Sequence, residues 1–589
     1  PNSSSYYLLT EILRNRWSFQ GYVYSDWGAI DMLHTFQHTA SSQTEAAIQA
    51  ISAGLDVEAS SECFPHLIAM VKEKKIDEKL IDKAVSRVLL AKFRMGLFED
   101  PYGEKYEAQS LHSRENIRVA RQIADESTVL LKNDKGLLPL NLSELNSIAV
   151  IGPNADQVQF GDYTWSRTNK DGVTPLEGIR KLTEPFGIQI RYAQGCSMMS
   201  LDTIHIASAV EAARQSDVAI LFCGSSSASL ARDYNETNCG EGFDLADLAL
   251  TGAQGKLIKA IHATGKPVIL VLVTGKPFSI AWEKKHIPAI LIQWYAGEQE
   301  GSSIANILFG KTNPSGHLTV SFPQSSGHLP AYYNHLPTDR GFYHKPGSYE
   351  QPGRDYVFSS PGPLWAFGHG LTYTTFNYTD MQIQQSVDSI KVFVTVKNTG
   401  RWAGKAVPQL YVRDVFSSIS TPVKQLKAFN KVTLEPGETT RVPLHFAVQD
   451  LALTDEAGKT MVEPGSFEIM IGDASDHILL KQTISIGQNM AVSPCSIKEQ
   501  LPEEIGKGNI IHIKGVVRDV QATPVDKVEI YSTAQQQVIG VTDQNGKYFI
   551  DAPEDDVLVF CKSGYLDEKV NVDRKNDIQI TIRNKMVFP

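Results

Sequence analysis

Cysteine is scarce in this chain and scattered. Six residues, at positions 63, 196, 223, 239, 495 and 561, are spread over 589. None forms a Cys-x-x-Cys pair or a Cys/His spacing suited to zinc, so no structural metal or cofactor is expected, and the thiols read as buried. A disulfide holding the loop at Cys239 is the one alternative the spacing leaves open. No lysine- or arginine-rich run occurs, and the formal charge is -10. Nucleic-acid binding is thereby disfavoured, since such proteins must offset phosphate charge. The apolar runs, such as Pro267 to Val273 and Ala289 to Ile292, are far too short to cross a bilayer and read as buried strands. No P-loop and no Gly-x-Ser-x-Gly elbow is present. Val150-Ile-Gly-Pro-Asn-Ala-Asp looks like a nucleotide-site turn but lacks the Gly-x-Gly-x-x-Gly spacing and is discounted. The chain starts at Pro1 without a methionine or an apolar leader, which is read as a start partway through a larger protein.

What is present is a soluble composition, 42% hydrophobic and 21% charged, on a length that calls for about three to five domains. Residues 1–108 read as alternating helices and strands. Leu8, Leu9, Ile12 and Leu13 form an apolar helical stripe behind Ser3 to Ser5. Gly21 to Asp26 reads as a short buried strand and 45–53 as a helix. Leu55 to Val57 is a second strand, and 65–95 one long helix stopped by Gly96. Two β/α units cannot close a barrel, so this part is expected to be the C-terminal portion of a (β/α)8 barrel.

Residues 109–324 carry an α/β rhythm. Strands are expected at 148–151, 218–223, 268–273 and 289–294, with helices at 257–262 and 304–308. That pattern predicts a sheet covered on both faces, an α/β sandwich domain. Residues 325–375, with six prolines, read as an irregular connector. Period-two alternation then marks strands at 389–396, 409–412, 440–446 and 466–471, a β-sandwich over 376–488. A polar linker at 489–509 leads to a second small β-sandwich over 510–589, where Asn545-Gly546 signals a hairpin. The fold class is therefore multidomain α/β plus all-β.

Asp26 ends a strand, where barrel folds present catalytic groups, although capping the next helix would also explain it. Trp27 beside it suits a sugar site, because a pyranose stacks its apolar face on an aromatic ring. Glu241 lies in the polar stretch Asn235-Glu-Thr-Asn-Cys-Gly-Glu-Gly-Phe-Asp, between the strand ending near Cys223 and a helix that Thr251 is placed to cap. Open α/β sheets hold ligands on such loops, and Gly240 and Gly242 let the backbone project the side chain. Glu236 and Asp244 are rival carboxylates. Glu298 and Glu300 read equally as ligand-facing or as helix caps at Ser302.

Gly21-Tyr-Val-Tyr-Ser-Asp-Trp-Gly-Ala resembles the nucleophile segment of glycoside hydrolase family 3. Ala53-Gly-Leu-Asp-Val-Glu resembles the family's next barrel strand. Ala124-Asp-Glu-Ser-Thr-Val-Leu-Leu-Lys-Asn and Leu137-Leu-Pro-Leu resemble the entry to its α/β domain. Gly240-Glu-Gly-Phe-Asp with Leu250-Thr-Gly-Ala-Gln resembles its acid/base segment. Asn313-Pro-Ser-Gly-His-Leu-Thr-Val-Ser-Phe-Pro and Phe367-Gly-His-Gly-Leu-Thr-Tyr-Thr are similar to further family segments. Residues 376–487 resemble a fibronectin type III-like domain, and the last domain a carboxypeptidase-regulatory-like one. Leu245 stands where many members carry an arginine.

The resemblance implies a retaining, exo-acting β-glycoside hydrolase that releases terminal glucose or xylose from plant-type oligosaccharides or aryl β-glycosides. Asp26 would be its nucleophile, Glu241 its acid/base and Trp27 a substrate contact. It further implies a secreted or periplasmic enzyme. A non-catalytic carbohydrate-binding or adhesive protein is the alternative.

Overall fold

The computed structural model describes the chain apart from residues 103–111, 167, 228–233, 339–355, 357–358, 488–489, 492–509, 520–521, 533–536, 554–555, 563–567, 573–576 and 582–589. Two compact units are present, 1–492 and 493–589.

Near the N-terminus, Tyr7–Arg16 winds as a wide helix that ends with the Trp17 N–H bonded to the Ile12 carbonyl, and it buries none of its side chains. Gln43–Ala53 is a helix because Ser42 accepts the Glu45 N–H and Gly54, at φ +105°, turns the chain out of it. The single long helix expected over 65–95 is instead two, Leu67–Lys72 and Glu78–Arg94. Lys74 adopts φ +56°, and Asp77 starts the second helix by accepting the Lys79 N–H. The two expected strands appear only as a parallel bridge between Tyr24 and Val57.

The α/β part is built on a six-stranded sheet: β1 (Val129–Asn133), β2 (Ser147–Ile151), β3 (Gln189–Ala193), β4 (Val218–Gly224), β5 (Val268–Val273) and β6 (Ala289–Gln293). The spatial order is β1-β6-β5-β4-β2-β3, with β1 antiparallel and the rest parallel. Alternate residues of each strand enter opposite cores. Val218, Ile220 and Phe222 join the core under the helices Pro175–Thr183 and Glu300–Leu308. Ala219, Leu221 and Cys223 join the one under Ile206–Arg214 and Gln254–His262. The sheet is covered on both faces, as the continuous apolar runs required. The strands β1 and β3 were not singled out in the sequence. Half-exposed β3 lies at one edge and β1 is a short antiparallel strand at the other, so neither carries a long apolar run.

Over 376–486 the strands pair antiparallel. One sheet orders 439–447, 389–398 and 376–385, and another 425–429, 409–414, 465–474 and 477–486. Their inward residues, including Val392, Val394, Leu444, Leu410 and Ile469, merge in one core. Of the connector expected over 325–375, residues 339–355 and 357–358 lie outside the described residues, as does most of the linker at 489–509.

The unit 493–589 holds a three-stranded and a four-stranded sheet around a core of its own. The Asn545-Gly546 turn forms, with Gly546 at φ +70° and its N–H on the Asp543 carbonyl. It does not make a hairpin. The strand before it, Gln537–Val541, pairs with Glu529–Ser532, while the strand after it, Lys547–Pro553, pairs with Ile510–Arg518. The turn chemistry was read correctly, and tertiary pairing sent the two strands to different sheets.

Candidate active site

Asp26 follows the bridge at Tyr24 and is exposed. Its Oδ1 accepts the N–H of Trp27 at 2.6 Å, so it does not cap the next turn in the usual two- or three-residue manner. Ser25 fixes the segment from beneath: its N–H bonds the Val57 carbonyl and its hydroxyl accepts the Ala59 N–H. Behind it, the buried Asp56 carboxylate receives Arg14 at 2.6 Å, Arg87 at 2.7 Å and the Val23 N–H at 2.8 Å. Burial lowers the Arg14 pKa and the Asp56 charge opposes that shift. This pin holds the stretch that delivers Asp26. Trp27 is 71% exposed, an uncovered indole beside the carboxylate.

Glu241 lies beyond the carboxyl end of β4, on a loop fastened to the ends of neighbouring strands. Cys239 bridges Ser227 in parallel. The Asn238 side chain receives the Ser226 N–H at 2.9 Å and donates to Thr251 at 2.8 Å. Thr251 in turn donates to the Met198 carbonyl, past the end of β3, rather than capping the helix that begins at Gln254. The loop is thus built from buried polar bonds, while the Glu241 side chain itself is exposed. The backbone N–H of Glu241 is held by Asp162 Oδ2 at 2.9 Å.

The rival carboxylates separate by what they bind. Glu236 accepts the Met198 N–H at 2.7 Å and so anchors the loop. Asp244 is exposed. Glu298 meets His112 at 2.6 Å. Glu300 is fully buried at the start of its helix, with Oε2 on the Gln159 N–H. Leu245 packs its side chain on the α/β core, and Lys276 holds the neighbouring Phe243 carbonyl at 2.9 Å, so the far end of the loop is further seated by an apolar contact and one lysine. The glycine of the discounted Val150-Ile-Gly turn serves packing: Gly152 sits at φ +120° where a Cβ would lie 2.2 Å from the Phe222 carbonyl oxygen.

Asp162 was missed in the sequence, as were the exposed aromatics Tyr163 and Trp165 beside it. The available signal was Gly161-Asp-Tyr-Thr-Trp, a polar, aromatic loop after β2. Four cysteines, at 63, 196, 223 and 239, are free and buried. Cys561 is free and half-buried, and Cys495 lies outside the described residues. Burial pushes the thiols of Cys63 and Cys196 up to about 12. Among the described residues no cluster of His, Cys, Asp or Glu is arranged to hold a metal ion, and no helix is long and apolar enough to cross a membrane.

A loop-borne carboxylate at the carboxyl edge of a parallel sheet, preceded by β/α units and followed by antiparallel sheets, fits the multidomain glycosidases. Residues 1–91 match the N-terminal domain of glycosyl hydrolase family 3, 128–373 its C-terminal domain, and 406–475 a fibronectin type III-like domain. The chain belongs to glycosyl hydrolase family 3. It is 37% identical to a β-xylosidase of Formosa agariphila over 82% of this chain and 67% of that one. It is 36% identical to a periplasmic β-glucosidase of Salmonella typhimurium over 81% and 65%. The crystal structure of a Listeria innocua β-glucosidase in complex with glucose superposes with a TM-score of 0.74 at 32% identity, covering 83% of this chain and 66% of that one. The chain therefore spans about two thirds of the length of these relatives.

Proposed function

We propose that this chain carries the two catalytic carboxylates of a retaining β-glycoside hydrolase that releases terminal glucose or xylose, with Asp26 the nucleophile, Glu241 the acid/base and Trp27 a sugar contact. The observation that carries the reading is the contrast between carboxylates. Asp26 and Glu241 stand exposed on backbones fixed from behind, whereas Glu236, Glu298 and Glu300 are consumed by protein partners and, of the named rivals, Asp244 alone shares that exposure. Asp26 would attack the anomeric carbon as the glycosidic C–O bond breaks and Glu241 gives its proton to the leaving oxygen. Glu241 would then take a proton from water as the water attacks that carbon and displaces Asp26. This chemistry calls for carboxyl groups about 5–5.5 Å apart across the bound sugar.

The β/α units of 1–108 belong, in this reading, to a (β/α)8 barrel docked on the α/β sandwich of 109–324. The connector 325–375, the fibronectin-like β-sandwich of 376–488 and the linker 489–509 precede a carboxypeptidase-regulatory-like β-sandwich at 510–589. The named relatives support β-glucosidase or β-xylosidase activity and a periplasmic or secreted setting.

Substitution in the full-length protein tests the assignment. Asp26→Ala should abolish turnover, with azide restoring it as a glycosyl azide. Glu241→Ala should slow natural glycosides far more than activated aryl glycosides. Unchanged hydrolysis by Glu241→Ala would move the acid role to another carboxylate.

A further inference from the structure

Among the described residues the Glu241 side chain meets no hydrogen-bond partner; what is fixed is the backbone beneath it, and one side chain bonds that backbone directly. Asp162 Oδ2 accepts the Glu241 N–H at 2.9 Å, and Oδ1 takes the Ser227 hydroxyl. The carboxylate therefore ties the residue carrying the acid to the segment leaving β4. The same carboxylate lies against Gly240, which sits at φ +114°. A Cβ there would come 2.2 Å from Asp162 Oδ2, so only glycine permits the approach. Asp162 is itself on a pinned segment. The Gln159 N–H meets the buried Glu300 at 2.6 Å, and the Gln159 carbonyl takes the Gly297 N–H. Gly161 passes close to Tyr295, where an added Cβ would lie 3.8 Å from the ring, and the Tyr295 hydroxyl bonds Ser225 at 2.6 Å.

We propose that Asp162 is a positioning residue for the acid/base step: through the Glu241 N–H and the close approach at Gly240 it sets where the Glu241 carboxyl meets the leaving-group oxygen. The inference rests on the reading of Glu241 as the acid/base. Proton donation needs hydrogen-bond reach to that oxygen, and small misplacements of a catalytic group are costly, about a hundredfold for ~1 Å. Losing the splint therefore harms the step in which Glu241 acts and spares steps in which it is idle.

The test is leaving-group dependence in the full-length protein. Steady-state kinetics of Asp162→Ala, Gly240→Ala, Ser227→Ala and Glu241→Ala are compared over aryl β-glycosides from activated dinitrophenyl to poor phenyl leaving groups, with thermal melting alongside. Asp162→Ala should lose about 10- to 100-fold in kcat/KM on the poor leaving groups and only about twofold on the activated ones, giving a steeper leaving-group plot. Gly240→Ala reaches the same contact from the other side and should show the same slope. Ser227→Ala leaves the Asp162–Glu241 bond in place and should show a smaller change. A loss uniform across leaving groups, or no loss, overturns the inference. If Asp162→Ala is too unstable to assay, the slope of Gly240→Ala decides. Should Glu241→Ala itself show no leaving-group dependence, the acid assignment fails; should it show one that Asp162→Ala and Gly240→Ala lack, only the positioning role fails.

Discussion

Residues 1–100 and the sheet of residues 129–293 solve the problem of covering apolar surface in opposite ways. Every residue of β2, β4, β5 and β6 is buried. In the first hundred residues, Trp17, Phe36, Phe93 and Met95 are all more than half exposed, and the strand content is one bridge. A parallel strand buried on both faces carries its own core. The helices of the first hundred residues share one small core of their own and leave these side chains exposed. Asp26 and Trp27 sit on the uncovered side of this contrast, and Glu241 on the finished side.

The largest effect should come from equal chemistry applied to both regions. Phe222→Ala, at a fully buried site in β4, should cost about 3–5 kcal/mol in urea unfolding. Phe36→Ala, at a residue 77% exposed here, should stay within about 0.5 kcal/mol. A loss of more than 1 kcal/mol at Phe36 in the full-length protein would mean that further polypeptide covers that face.

Next in size is the polar pin of the first region. Asp56 is the one buried carboxylate there, shared by Arg14 and Arg87. Asp56→Ala strands Arg14, and breaking such a buried pair costs about 3 kcal/mol. Because Asp56 also holds the Val23 N–H, the same variant should weaken turnover through Asp26. A variant with full activity and an unchanged urea midpoint would show that the pin does not matter.

The sequence showed these regions unevenly, for physical reasons. Continuous apolar runs announced β2, β4, β5 and β6, since burial on both faces leaves no polar positions to blur them. The split at Lys74 was hidden because Lys75, Ile76 and Asp77 continue an acceptable helical pattern, and only the Asp77 cap decides against it. Asp26 and Glu241 were visible through motif resemblance. Asp162 was not, because its importance lies in a bond to a residue 79 positions away.

The smallest effect concerns the edge of the sheet. The chain from 365 to 371 closes over β1: Trp365 donates to the Leu131 carbonyl, His369 Nε2 meets the same oxygen at 3.0 Å, and Leu371 bonds Leu130. Beside it, His317 Nδ1 meets the Gly368 carbonyl at 2.5 Å. Burial lowers the pKa of both histidines. Backbone bonding and Asp473 oppose this, as does Asp476 for His369, while Lys431 near His317 and Lys284 near His369 reinforce it. A folded-state pKa below the unfolded value of about 6.5 means that the unfolded chain binds the proton more readily. Their contribution is therefore complete above about pH 6.5 and is lost as pH falls toward the depressed folded values. Melting temperature should drop by a few degrees from pH 7 to pH 5, and His317→Gln should flatten that slope. A slope left unchanged by His317→Gln and by the matching His369 variant would place the acid sensitivity elsewhere in the protein.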